Sequence, residues 1–255
     1  MGVAAVDLLQ RGWLDLYVTH LVGEGHGLFL NHDGQFSDAI SPDGPMAGTT
    51  PFTGFGLAFA DFDNDGELDL YVAQGRVRLG AGGGPTSDPY AEPNLLRRGR
   101  GQGRFEEVTP AGGVLPAAVG TSRGLAAGDL DNDGSIDLVV IERDAPLTVL
   151  RNRAGQGRHW VQFELQDREG RDVRNAILQL ESGGRIQWRQ HQPNEGYCSS
   201  QDPRSHFGLG EQAGPVRLRV RWPGGTAEEF GALSVDRLHR IQAGRGTAGS
   251  GWFTW

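Results

Sequence analysis

Apolar and polar residues alternate along this chain in short runs bounded by glycine, asparagine and aspartate. Trp160-Val-Gln-Phe-Glu-Leu165, Ala176-Ile-Leu-Gln-Leu180 and Val216-Arg-Leu-Arg-Val-Arg-Trp222 repeat with a period of two, the mark of half-buried strands. Gly183-Gly184 and Gly224-Gly225 supply hairpin turns between such runs. Upstream, Leu68-Asp-Leu-Tyr-Val72 and Ile136-Asp-Leu-Val-Val140 are β-branched and aromatic-rich, again strand-like. Apolar stripes at helical spacing are nearly absent. The pattern predicts an all-β protein, and a content of 41 glycines with 37% hydrophobic residues suits a turn-rich β chain of one large or two medium domains.

Two polar stretches interrupt this pattern in the same way. Asp61-Phe-Asp63-Asn-Asp65-Gly66-Glu67-Leu-Asp69 and Asp129-Leu-Asp131-Asn-Asp133-Gly134-Ser135-Ile-Asp137 place carboxylates at positions 1, 3, 5 and 9 and glycine at 6. Four carboxylates so close together repel unless a hard cation neutralises them. Oxygen ligands on a flexible loop favour Ca²⁺, and the glycine permits the sharp turn that aims them inward. The carbonyl of Glu67 or Ser135 would add one more oxygen. An EF-hand needs a bidentate glutamate at position 12, where Val72 and Val140 stand instead. The unit is a strand–calcium loop–strand, and its bland alternative is a solvated acidic turn.

The loops belong to an internal repeat. Gly56-Leu-Ala-Phe-Ala-Asp61 matches Gly124-Leu-Ala-Ala-Gly-Asp129, and a decayed copy runs from Val3-Ala-Ala-Val-Asp7 to Gly12-Trp-Leu-Asp15-Leu-Tyr-Val18. In that copy Leu9 and Arg11 hold positions 3 and 5, so no calcium is expected there. Second halves repeat too: Leu28-Phe-Leu-Asn31 onward, Leu95 to Phe105 and Leu150 to Arg158 each read as strand, Gly-rich turn and strand. A unit of about four short strands recurring every 50–70 residues reads as a propeller blade.

Phe59-Ala-Asp-Phe-Asp-Asn-Asp-Gly66 followed by Leu68-Asp-Leu70 resembles the FG-GAP (VCBS) repeat of integrin-α-type propellers. His159-Trp-Val-Gln-Phe163, Asn175-Ala-Ile177, Ser200-Gln-Asp-Pro203, His206-Phe-Gly-Leu-Gly210 and Val220-Arg-Trp-Pro-Gly-Gly225 resemble, in order, the ASPIC/UnbV domain that ends proteins of the cartilage-acidic-protein family. Leu178-Gln179 and Cys198 depart from that pattern, and family propellers have more blades. The expected organisation is a partial β-propeller over 1–151, its first blade degenerate, then a β-sandwich over 152–243 and a flexible tail over 244–255 ending in Trp252-Phe253-Trp255. The Gly-Pro-rich stretch 80–93 is expected as a loop in the second blade. The chain starts within a repeat, which suggests a fragment, a processed form or a truncated gene model. An unclosed array exposes strand edges, so a protein partner or a second copy is expected against them.

Charge and motifs limit the function. A net charge of −8 argues against nucleic acid or an anionic membrane as partner, and no run reaches membrane-spanning length. The basic residues are all arginine, a composition that codon bias or selection for ordered ion pairs would each produce. Cys198, the single cysteine, excludes an intrachain disulfide. Gly120-Thr-Ser122-Arg-Gly124 spells a nucleophile elbow, but it leads into a repeat strand, and Ser122 aligns with Gly54 of the sister blade. His206 is expected as a hydrogen-bonded sandwich residue, its alternative being a ligand contact shared with Tyr197 and Gln201. Arg97-Arg98-Gly-Arg100-Gly-Gln-Gly-Arg104 reads as a solvated blade turn. The residues, with the resemblance, imply a non-catalytic, calcium-binding extracellular protein for adhesion or assembly, with a carbohydrate among the ligand classes it could take. The alternative is an accessory or enzymatic role in natural-product biosynthesis, since UnbV-type proteins resemble products of enediyne gene clusters. A polar pocket between the two domains would favour the alternative.

Overall fold

The structure, a computed structural model, describes residues 1–39, 41–79 and 87–249. Residues 80–86 of the expected loop and the aromatic end Trp252-Phe253-Trp255 lie outside them. The first blade is a four-stranded antiparallel sheet of β1 (Val3–Val6), β2 (Asp15–Val18), β3 (Gly27–His32) and β4 (Gln35–Asp38). The second begins with β5 (Gly54–Ala60) and β6 (Asp69–Gln74). After β7 (Glu92–Pro93) it is completed by β8 (Leu95–Gly99) and β9 (Phe105–Glu107). Strand β7 pairs with β10 (Val119–Gly120), and the third blade follows as β11 (Ser122–Gly128), β12 (Asp137–Glu142) and β13 (Thr148–Leu150).

Each blade buries its faces against its neighbours, and this explains why β6 reads as a continuous apolar run instead of an alternating one. Leu70 and Val72 point to the first blade and pack with Ala4, Val6, Tyr17 and Leu28. Tyr71 and Ala73 point the other way and pack with Leu125, Leu138 and Val140 of the third. A strand covered on both sides has no need of a polar face. The repeat holds at the level of single backbone pairs: Gly54 lies opposite Gln74, and Ser122, 68 residues on, opposite Glu142.

The sandwich has two sheets. One is β17 (Ser205–Gly210), β14 (His159–Gln166) and β20 (Arg237–Gln242), in that order. The other runs β16 (Arg185–His191), β15 (Ala176–Ser182), β18 (Val216–Arg221), β19 (Ala227–Leu233) and β21 (Thr247–Ala248). Alternate residues Val161, Phe163 and Leu165 meet Leu178, Leu180, Leu218 and Val220 in the core between them.

Two expectations need correction. The stretch from Leu150 to Arg158 does not close a blade hairpin: β13 ends at Leu150, and the next strand, β14, joins the sandwich, where both its edges are paired by β17 and β20. The third blade therefore has three strands. The segment expected as a flexible tail also begins with structure. Thr247–Ala248 pairs with β19, and the Gly244 and Gly246 amides donate to the Glu228 carboxylate.

Candidate metal centres at the seam between blades and sandwich

The three loops share one backbone. Gln10, Asn64 and Asn132 at position 4, and Gly12, Gly66 and Gly134 at position 6, all adopt positive φ. The carboxylate at position 1 accepts the amides of positions 5 and 6: Arg11 and Gly12 on Asp7, Asp65 and Gly66 on Asp61, Asp133 and Gly134 on Asp129. The carboxylate at position 9 accepts the amide of position 2 and one from the third strand or just past its end: Leu8 and Asn31 on Asp15, Phe62 and Gly99 on Asp69, Leu130 and Asn152 on Asp137. Positions 1 and 9 thus brace the turn whether or not an ion binds. That is why Asp7 and Asp15 persist in the decayed copy while positions 3 and 5 do not.

Positions 3 and 5 distinguish the loops. Asp61, Asp63 and Asp65 each bring a carboxylate oxygen within 4.8 Å of the others, as do Asp129, Asp131 and Asp137. The remaining predicted residues surround these triads. Asp69 closes its loop from the strand side, Asp133 accepts the Ser135 amide at 2.9 Å, and the Glu67 side chain turns outward to Arg185. In the first loop Arg11 reaches Asp15 at 3.0 Å. Burial pushes the Asp61 carboxyl up to about 7 and that of Asp69 to about 8, because charge without a counterion is costly there. Oxygen donors carrying charge that burial opposes fit a hard cation, held by positions 1, 3, 5 and 9. Such an ion would tie the two flanking strands together.

Arginines supply the other counter-charge. Arg98 bonds both Asp63 and Asp65, and Arg151 bonds Asp131 and lies 3.8 Å from Asp133. The two arginines follow equivalent pairs, Arg97 opposite Leu70 and Leu150 opposite Leu138, so they occupy equivalent places in the two blades. The first blade has Leu30 there, packed in the core shared with the second blade. Arginine accompanies the four-carboxylate loops and leucine accompanies Leu9.

The sandwich rests on the loops themselves, which the sequence reading did not foresee. Arg185 donates to the carbonyls of Asp65 and Gly66 at 3.0 and 2.8 Å, and Arg158 to that of Asp63 at 2.7 Å. The Gly210 amide donates to Asn64 O, and Gln162 Nε2 to Asp129 Oδ2 at 2.8 Å. Arg204 reaches Asn132 and the Asp129 carbonyl, and the Trp188 amide donates to Gln10 of the first loop. Gly134 lies so near the Trp160 indole, and Gly208 so near Asp61 Oδ2, that any side chain would collide.

A second element reaches further in. The segment 193–202 of the sandwich lies along the free inner edges of all three blades. Val3 and Gly196 exchange backbone bonds. Glu195 accepts the Phe59 amide. Ser199 Oγ and Gln201 Oε1 accept those of Leu125 and Ala127, and the Asp202 amide donates to Ala127 O. Beside it is a cavity of about 120 Å³ lined by Asp7, Asp61, Arg189, Glu195, Gln201 and His206, among others. Loss of solvent pushes Glu195 up to about 8 and His206 down to about 4. His206 Nε2 faces Gly134 O at 3.1 Å, and Gln201 shares the cavity with it, whereas Tyr197 packs edge-on against Phe55. Ser122 is elsewhere, fully buried and bonded to Glu142 at 2.8 Å. The elbow motif and the histidine do not meet.

Acidic-loop blades roofed by a sandwich define an all-β propeller-repeat protein. The chain belongs to the FG-GAP-like repeat family, whose model matches residues 1–72 and 81–140, and it carries the ASPIC and UnbV domain over 166–248. It is similar to "Cartilage acidic protein 1" of Mus musculus, 30% identical over 235 residues, and of Homo sapiens, 29% over 234. Those alignments cover 88% of this chain and 34% and 33% of the relatives, so the chain spans about a third of the curated relatives' length. No helix among the described residues is long and apolar enough to cross a membrane.

Proposed function

We propose that the protein is a non-catalytic, calcium-stabilised binding scaffold of the extracellular space, serving adhesion or assembly with a protein partner or a second copy. The observation that carries this reading is the placement of two carboxylate triads at the seam, where sandwich residues grip the same loops. Asp61, Asp63, Asp65 and Asp69, with the Glu67 carbonyl, hold one ion. Asp129, Asp131, Asp133 and Asp137, with the Ser135 carbonyl, hold the other. An ion at 100 times its dissociation constant stabilises the folded chain by about 2.7 kcal/mol. Isothermal titration should show two Ca²⁺ per chain, and Asp63→Ala should leave one. A melting midpoint indifferent to EGTA would sink the reading. Light scattering at micromolar concentration, with and without Ca²⁺, tests the assembly.

The polar cavity between blades and sandwich favours the second reading, a role in natural-product biosynthesis. It is small, about 120 Å³, and lined by polar and charged side chains such as Asp61, Arg189, Glu195 and Gln201. A small polar molecule or water fits there and a polyketide does not. Scaffold function is the better account.

A further inference from the structure

Between the second and third blades the structure opens a different cleft, of about 460 Å³. Its walls are mostly apolar: Phe62, Leu96, Val108, Val114, Leu138 and Leu150. Gly112 and Gly113 line it, and an added Cβ would lie 2.6 Å from Ala118 at the first and from Leu96 at the second. At its loop end stand Arg98 and Arg151, the two equivalent arginines, with Asp63 and Asp69 behind them. The Tyr71 hydroxyl is buried beside Gly112, close to the Asn94 amide, and makes no hydrogen bond of ordinary geometry.

An apolar trough ending in two guanidiniums has the chemistry of an anionic amphiphile. We propose that this cleft binds a small carboxylate with an apolar body, its head paired with Arg98 and Arg151 and its chain lying on Leu96, Val114, Leu138 and Leu150. Taking its methylenes out of water is what gives the chain its share of the affinity. The planar guanidinium forks select the carboxylate by bidentate bonding. The proposal rests on the calcium reading. Without ions, eight loop carboxylates oppose the cleft arginines and Arg158, and the field repels an anion. Two divalent ions set four positive charges against those eight carboxylates and draw the aspartates away from Arg98 and Arg151. Calcium therefore switches the cleft to accept its ligand.

Titrating the full chain calorimetrically with decanoate tests this, after Ca²⁺ occupancy has been measured in a separate titration. The expected result is one decanoate per calcium-loaded chain, weakened by about tenfold or more in EGTA and to a similar degree by Arg151→Ala. Val114→Trp, which fills the cleft at a half-exposed position, should abolish it. Decan-1-ol should bind at least about tenfold more weakly. Loaded protein that ignores decanoate overturns the proposal and leaves the calcium reading intact. Protein that takes up no Ca²⁺ instead fails the earlier reading. Equal binding in EGTA, equal binding of the alcohol, or binding unaffected by Val114→Trp each overturns the proposal.

Discussion

Three glycine-to-alanine substitutions measure how tightly the sandwich is seated on the loops. Gly12 has φ +89°, and a methyl there would meet nothing closer than the Trp188 ring at 4.0 Å, so only backbone strain is added. Left-handed backbone costs a non-glycine residue roughly 1–2 kcal/mol, offset by about 0.4–1 kcal/mol from the stiffer unfolded chain. Gly134, with φ +85°, carries the same strain, and its methyl would also overlap the Trp160 indole. Overpacking adds roughly 1–3 kcal/mol, so a total of about 2–4 kcal/mol is expected. Gly208 has no positive φ, yet its methyl would overlap Asp61 Oδ2 and lie 2.5 Å from Asn64 Cα, which is backbone and cannot swing aside. Gly208→Ala should therefore destabilise by at least as much as Gly134→Ala and weaken Ca²⁺ in the 61–69 loop alone. For a chain of this size each kcal/mol moves the melting midpoint by about 2–4 °C. Calorimetric melting and calcium titration of the three variants decide the matter. Equal drops for Gly12→Ala and Gly134→Ala, or normal affinity at both sites in Gly208→Ala, would refute a close seam.

Three further outcomes follow from geometry already given. Burial lowers His26 to about 3 and His191 to about 4, so the unfolded chain takes up protons first as pH falls from 6.5. Each histidine should then withdraw about 1.4 kcal/mol of stability per pH unit, and a melting midpoint flat between pH 7 and 5 contradicts this. A serine-directed fluorophosphonate should leave Ser122 unlabelled, because its hydroxyl is buried against Glu142; stoichiometric labelling would overturn that assignment. Replacing Leu9 and Arg11 with aspartate on the existing brace of Asp7 and Asp15 should create a third calcium site, counted by native mass spectrometry.

The loops were legible because their function is local: nine residues carry both the turn and its charges. The strands were legible wherever one face is solvated, as in 216–222. What escaped is what two distant segments do together. Nothing in Arg185 or Arg158 alone points to a loop some 90 to 120 residues away, and the seam becomes visible only once both folds are built. Gly208 and Gly134 were partial signals, since the motifs His206-Phe-Gly-Leu-Gly210 and Asp-Gly each hold a glycine that packing demands. The end of the third blade was misread because Leu150–Arg158 carries the hairpin signature locally. Its pairing is decided by β17 and β20, which lie 50 to 90 residues downstream.

The segment 193–202 also bears on how the chain is made. Amides on the inner strands, at Val3, Phe59, Leu125 and Ala127, find partners in residues 195–201. During synthesis the blades emerge first and must wait, edges open, until residues 195–201 have followed them out. Long-range closure of this kind is slow, and open strand edges invite misassembly in the interval. Pulse-labelled hydrogen exchange should accordingly find these four amides among the last to gain protection, after the hairpins of each blade have formed.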